Sequence, residues 1–157
     1  MSQLHIKQNL REIETSCERV GPVKSVSYVR DFSFTIDQTI RGGGTNQAPT
    51  PMEYILGSFN GCVLVIVERI ANEIGFHFTH LKAKSVGTID PRGVQGIDQV
   101  SPHFKQVINT IWFETNEPAE KLAELKALVE KRCPALNLFY DADIDVELNW
   151  LLVGDVK

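Results

Sequence analysis

Apolar and polar positions change their spacing several times along the chain, and each change marks an element. Between Thr50 and Gly75 the run T-P-M-E-Y-I-L-G-S-F-N-G-C-V-L-V-I-V-E-R-I-A-N-E-I-G places Ile55, Phe59, Cys62, Val63, Ile66, Ile70 and Ile74 at helical intervals. Thr50 and Glu53 form a T-x-x-E capping box, Pro51 takes the first helical position, where no N–H is needed, and Gly75 supplies the stop. The spacing predicts one helix roughly 35 Å long. Tyr54, Leu56, Leu64, Val65 and Val67 make its middle apolar nearly all round, which predicts burial on several sides. Asn60, Glu68 and Arg69 interrupt the run short of the roughly 18 apolar residues of a membrane span, so the helix is expected in a protein core and no membrane partner is expected. Gly57 and Gly61, four apart on one face, bare the backbone just before Cys62 and predict close approach by another helix, a partner chain or a small ligand.

On the N-terminal side, within residues 1–22, Ile6, Leu10, Ile13, Cys17 and Val20 recur at steps of four, three, four and three. That stripe predicts an amphipathic helix ended by Gly21-Pro22, with Cys17 as a small buried hydrophobe. From Val26 to Asp37 the period becomes two, with Val26, Tyr28, Arg30, Phe32, Phe34 and Ile36 on one face of a half-buried strand. Arg30 either lies near a strand end and reaches water or is a guanidinium held inward for a purpose. A second strand is expected through Ile40, followed by a glycine-rich loop, Arg41-Gly-Gly-Gly-Thr-Asn-Gln-Ala-Pro, that passes close to something.

Beyond the long helix, Leu81 to Asp90 reads as a strand with Lys82 and Lys84 outward, closed by the turn Asp90-Pro91-Arg92-Gly93. Phe104 to Thr115 is a strongly apolar strand. Asn116 to Arg132 is an amphipathic helix with Leu122, Leu125 and Val129 inward, and the next step of that stripe is Cys133. Pro134 forces the residue before it out of helical geometry, so Cys133 is expected at or just past the last turn, facing the core. Ile144, Val146, Leu148, Trp150 and Leu152 then alternate with polar residues in a final strand. Strands, a helix, strands, a helix and a strand predict an α+β fold in a single domain over residues 1–157.

Composition narrows the partners. With 157 residues, 43% of them hydrophobic, there is material for one well-filled core, and a net charge of −4 leaves no basic surplus for nucleic acid. No charged-then-apolar leader opens the chain, which predicts a cytoplasmic protein whose three cysteines are reduced thiols. None lies in a C-x-x-C pair. His77 and His80, three apart on extended backbone, point to opposite faces, so neither a metal nor another cofactor is expected. On residue chemistry alone, Cys62 and Cys133 are either two packing residues or two working thiols on different helices.

The company these cysteines keep adds to that reading. P-M-E-Y-I-L-G-S-F-N-G-C before Cys62 and K-R-C-P-A-L-N-L around Cys133 resemble the motifs of the OsmC/Ohr family of bacterial thiol-dependent peroxidases, over about Arg41 to Trp150. The resemblance implies antiparallel sheets around a central cysteine-bearing helix and an intertwined homodimer. It implies that Cys62 attacks an organic hydroperoxide to give a sulfenic acid, and that Cys133 resolves it as a disulfide reduced by a cellular dithiol. Family peroxidases also place a glutamate directly after the proline and pair it with an arginine. Here that position is Met52 and the glutamate is Glu53, nine steps before Cys62, on the opposite helix face and about 13 Å away along the axis. Glu53 is therefore either an acidic site residue or the capping residue alone, and the arginine is Arg30 or Arg41. A competing expectation keeps the fold without turnover, as a redox sensor or a protein that binds a small hydrophobic ligand near Gly57 and Gly61.

Overall fold

The computed structural model describes residues 10–97 and 99–153, in two compact units that meet within the long helix, at Tyr54 and Ile55. In the first unit, strands β1 (Ser16–Arg19), β2 (Ser25–Val29) and β3 (Phe32–Ile36) form an antiparallel sheet in that order. Several sequence expectations fail in this unit. The stripe from Leu10 to Val20 is not helical: residues 16–19 pair with β2, and Ile13 is 91% exposed. Strand pairing overrides helical spacing in so short a segment. Residues 2–9 of the expected helix lie outside the described residues.

The expected continuous strand through Arg30 is a hairpin. Arg30 has φ 52° in a two-residue turn, and its guanidinium lies 5.0 Å over the ring of Phe32. Positive φ at a non-glycine residue suits the tight turn between twisted antiparallel strands. Arg30 is exposed and does not stand in the apolar row. The strand expected through Ile40 is a 3₁₀ turn, Ile40–Gly42, capped by Thr39.

The glycine-rich loop does pass close to something, namely the chain's own Asp37. This fully buried carboxylate accepts hydrogen bonds from the Thr45 hydroxyl and from the backbone N–H groups of Gln38, Thr45 and Gln47. A Cβ on Gly44 would overlap the Gln38 carbonyl. The Thr45 hydroxyl, then the backbone donors, hold the Asp37 carboxyl well below the usual carboxylate range.

Helix α1 (Pro51–Ile74) begins as its sequence requires. The Thr50 N–H donates to the Glu53 carboxylate at 2.7 Å, the Glu53 N–H donates to the Thr50 hydroxyl at 3.4 Å, and Gly75 leaves the helix at φ 69°. By length and hydropathy α1 could cross a membrane, alone among the described helices. One stripe of it, Phe59, Val63, Val67, Ile70 and Ala71, is instead buried in the protein's own core.

The second unit carries a sheet in which β5 (Phe104–Glu114) lies between β4 (His80–Ile89) and β6 (Asp145–Val153). β4 runs antiparallel to β5, from His80 opposite Glu114 to Ile89 opposite Phe104, with a register shift after Thr88. β6 runs parallel to β5, which corrects the expectation of antiparallel sheets throughout. Its cause is the long connection through α3 (Ala119–Arg132) and α4 (Pro134–Asp141), which returns the chain to the starting end of the sheet. The Asp90 turn is a short helix, α2 (Pro91–Val94), capped by the Asp90 side chain. The core joins the α1 stripe, Val107, Ile111 and Phe113 of β5, Leu125 and Val129 of α3, and Leu136 and Phe139 of α4. The rings of Phe59 and Phe139 meet edge to face with centroids 4.8 Å apart.

Asp37→Asn is expected to lower the melting temperature at pH 7. A depressed native pKa contributes stability that is present above the unfolded value, about 3.9, and lost as pH falls through the lower native one. The gap between variant and wild type should therefore close in acid below about pH 4. Equal melting temperatures at pH 7 would show that the carboxylate does not hold the loop.

Candidate functional site

Cys62 lies in the middle of α1, beside the buried Val63, and is itself partly accessible. A partly buried polar cluster fixes the rotation of α1 on the sheet. The Asn60 side-chain carbonyl accepts from the Ser85 hydroxyl at 2.7 Å and from the Asn109 amide at 3.1 Å, and Asn109 also donates to Ser85 at 3.0 Å. Asn109 is fully buried on β5. An apolar strand interior gave the sequence reading no reason to single it out, although an asparagine in a run of isoleucine and phenylalanine is the signal that could have done so.

Cys133 ends α3 as the stripe predicts, with its side chain fully buried. It also precedes α4, a helix the sequence reading did not anticipate, with Pro134 at its first position. Its thiol stands 3.9 Å from the sulfur of Cys62. Both cysteines are free. The two thiols that sequence alone left as either packing or chemistry are thus brought together at van der Waals separation.

Their surroundings are unequal. Burial, more than any other influence, pushes the Cys133 thiol up to about 11, with the neighbouring Cys62 adding to the rise; backbone N–H groups of Leu136 and Ala135 at the start of α4 oppose it and lose. Next to Cys133, Arg132 makes a bidentate pair with Glu73 of α1, tying the end of α3 to the Cys62 helix. Both side chains are solvent-exposed, so the pair orients more than it stabilises.

The other candidates lie in the first unit. Glu53 serves in the capping box, which holds its carboxyl below the ordinary range through the Thr50 N–H and hydroxyl. Arg30 occupies the hairpin turn and Arg41 the 3₁₀ turn, both exposed. Cys17, expected buried, is exposed on the edge strand β1, where hydrogen bonds with the Ser25 and Ser27 side chains lower its pKa. A Cβ added to Gly57 or Gly61 would meet nothing within 4 Å. The bare backbone is open, and the same exterior of α1 carries Ile55 at 44% and Val65 at 53% exposure, so the helix is covered on one side only and not all round.

Fold and thiol pair define a protein in which a long helix presents one thiol to a second, buried one. The family model for OsmC-like proteins matches residues 44–149, and the chain belongs to that family. No curated protein matches it. Among solved structures it is similar to an OsmC-like protein from Mycoplasma pneumoniae, with a TM-score of 0.79 and 15% identity over 91% of this chain and 98% of that one. An organic hydroperoxide resistance protein OsmC from Legionella pneumophila gives 0.70 and 16% identity, covering 92% of this chain and 98% of that one. An organic hydroperoxide resistance protein from Elizabethkingia anophelis gives 0.71 and 12% identity, covering 94% and 99%. At these identities the likeness is one of fold.

Thiol labelling of the folded protein with iodoacetamide at pH 7.5 should modify Cys17 fastest and Cys62 next. Cys133, with roughly a hundredfold less thiolate than an ordinary cysteine and no access to solvent, should react only after unfolding. Rapid labelling of Cys133 in the folded state would contradict the burial described.

Proposed function

We propose that the chain is a thiol-dependent peroxidase that reduces organic hydroperoxides. The observation that carries this reading is the 3.9 Å separation of the Cys62 and Cys133 sulfurs, one partly accessible and one buried. Cys62, as thiolate, attacks the peroxide oxygen. The O–O bond breaks, the alkoxide leaves and takes a proton to become the alcohol, and Cys62 is oxidised to a sulfenic acid. The Cys133 sulfur then attacks the Cys62 sulfur, the S–O bond breaks and water leaves with the Cys133 proton. A cellular dithiol reduces the resulting disulfide by exchange. A thiol that stays protonated until a sulfenic acid forms beside it suits the resolving part, because it does not compete for the oxidant.

Membership of the family and the organic hydroperoxide resistance proteins among the similar folds support the reading. We take the protein to be a cytoplasmic homodimer. The open apolar exterior of α1 at Ile55, Gly57, Gly61 and Val65 is the kind of surface a second copy would cover. In this reading a cation beside the Cys62 sulfur assists its attack on the peroxide. Arg30 and Arg41 are the arginines proposed for that part. Glu53 is proposed as their acidic partner only in addition to its capping role.

Cys62→Ser should abolish consumption of tert-butyl hydroperoxide in the presence of dithiothreitol, whereas Cys133→Ser should retain a single turnover that leaves a sulfenic acid trappable by dimedone. Undiminished consumption by Cys62→Ser would sink the peroxidase reading and turn attention to the ligand-binding one. For the arginines, Arg30→Met and Arg41→Met are compared by the pH dependence of Cys62 oxidation. Loss of the activating arginine should slow that oxidation at pH 7 by tenfold or more and leave the rate above pH 9 nearly intact; unaltered profiles for both would exclude them.

A further inference from the structure

The junction that carries Cys133 contains a break that has been repaired from outside α3. In a continuing helix the Glu130 carbonyl would accept the N–H of residue 134, but Pro134 has none to give. The side-chain amide of Asn137, in the first turn of α4, takes that place, donating to the Glu130 carbonyl at 3.0 Å. The same nitrogen donates to the Cys133 carbonyl at 2.8 Å, which also accepts the Asn137 backbone N–H at 3.1 Å. On the other side, the Cys133 N–H donates to the Val129 carbonyl at 2.8 Å. Every polar backbone atom of Cys133 is thereby held, although the residue itself has left helical geometry at φ −78° and ψ 113°. Only rotation about its side chain remains to carry the sulfur to Cys62.

We propose that Asn137 is a positioning residue for the thiol pair: by bridging the Glu130 and Cys133 carbonyls across the proline break, it sets the angle between α3 and α4 and so the effective concentration of one thiol at the other. The assignment rests on the two-cysteine reading given above, but it concerns the disulfide equilibrium and not the oxidant. Two rigid helices meeting at a pinned residue have settled most of the closure entropy before the sulfurs bond. Without the amide, the Glu130 carbonyl loses its donor and the junction gains a hinge.

The test is the thiol–disulfide exchange equilibrium of the folded, full-length protein with dithiothreitol, read by alkylation and intact mass, with no hydroperoxide present. Asn137→Leu, of similar shape and without donors, should lower the equilibrium constant for the Cys62–Cys133 disulfide about tenfold, which is about 30 mV in the potential of this two-electron couple. Asn137→Gln, which keeps both donors on a longer arm, should recover most of that loss. Should the leucine variant not fold, Asn137→Ala is read in the same way. An exchange constant equal to wild type in the donor-less variant, whatever its melting temperature, would reduce Asn137 to a purely structural residue and overturn the proposal. A wild type that equilibrates with dithiothreitol here but leaves tert-butyl hydroperoxide intact in the separate consumption assay would sink the peroxidase reading alone. A wild type that forms no Cys62–Cys133 disulfide at any dithiothreitol ratio would overturn both.

Discussion

The burial of one stripe of α1 against β5, α3 and α4 is the constraint from which the thiol pair follows. Phe59, Val63, Val67 and Ile70 are each no more than 1% exposed. At about 1.5–3 kcal/mol for each such side chain, their removal from water is worth roughly 6–12 kcal/mol as an upper estimate. One sulfur–sulfur contact, at about 0.2 kcal/mol, is negligible beside it. The cysteines therefore do not draw the helices together. Packing draws them together, and Cys62 is adjacent in sequence to one of the side chains that packing buries.

Polar groups then decide direction where apolar packing cannot. Hydrophobic contact is non-directional, and the Asn60–Ser85–Asn109 cluster supplies the direction, since a buried amide denied its partners is expensive. At the opposing thiol, Asn137 and the Arg132–Glu73 pair act on the end of α3 in the same sense. The site is thus a product of two unlike forces, one that brings elements close and one that aims them.

Much of this was legible in the sequence. Capping box, proline and glycine gave α1 to within a residue at each end, because its signals are local and agree with one another. The stripe Leu122, Leu125 and Val129 led to Cys133 for the same reason. Non-local matters were not legible. Residues 16–19 became a strand through a pairing with β2 that helical spacing cannot reveal, Arg30 became a turn because only the partner strand shows where the hairpin bends, and β6 runs parallel because helices, not a tight turn, bring it back. Cys62 and Cys133 could be nominated from their motifs. Their 3.9 Å separation could not, since it depends on the packing of two helices whose cysteines are 71 positions apart in the chain.

The two-cysteine cycle is tested by the intact mass of the reduced, folded protein before and after one equivalent of tert-butyl hydroperoxide. The expected result is the loss of two hydrogens and a proteolytic crosslink joining the Cys62 and Cys133 peptides. An unchanged mass with both thiols still free after folded and oxidant-treated protein is denatured and alkylated would contradict it, and would leave the pair as two well-packed side chains.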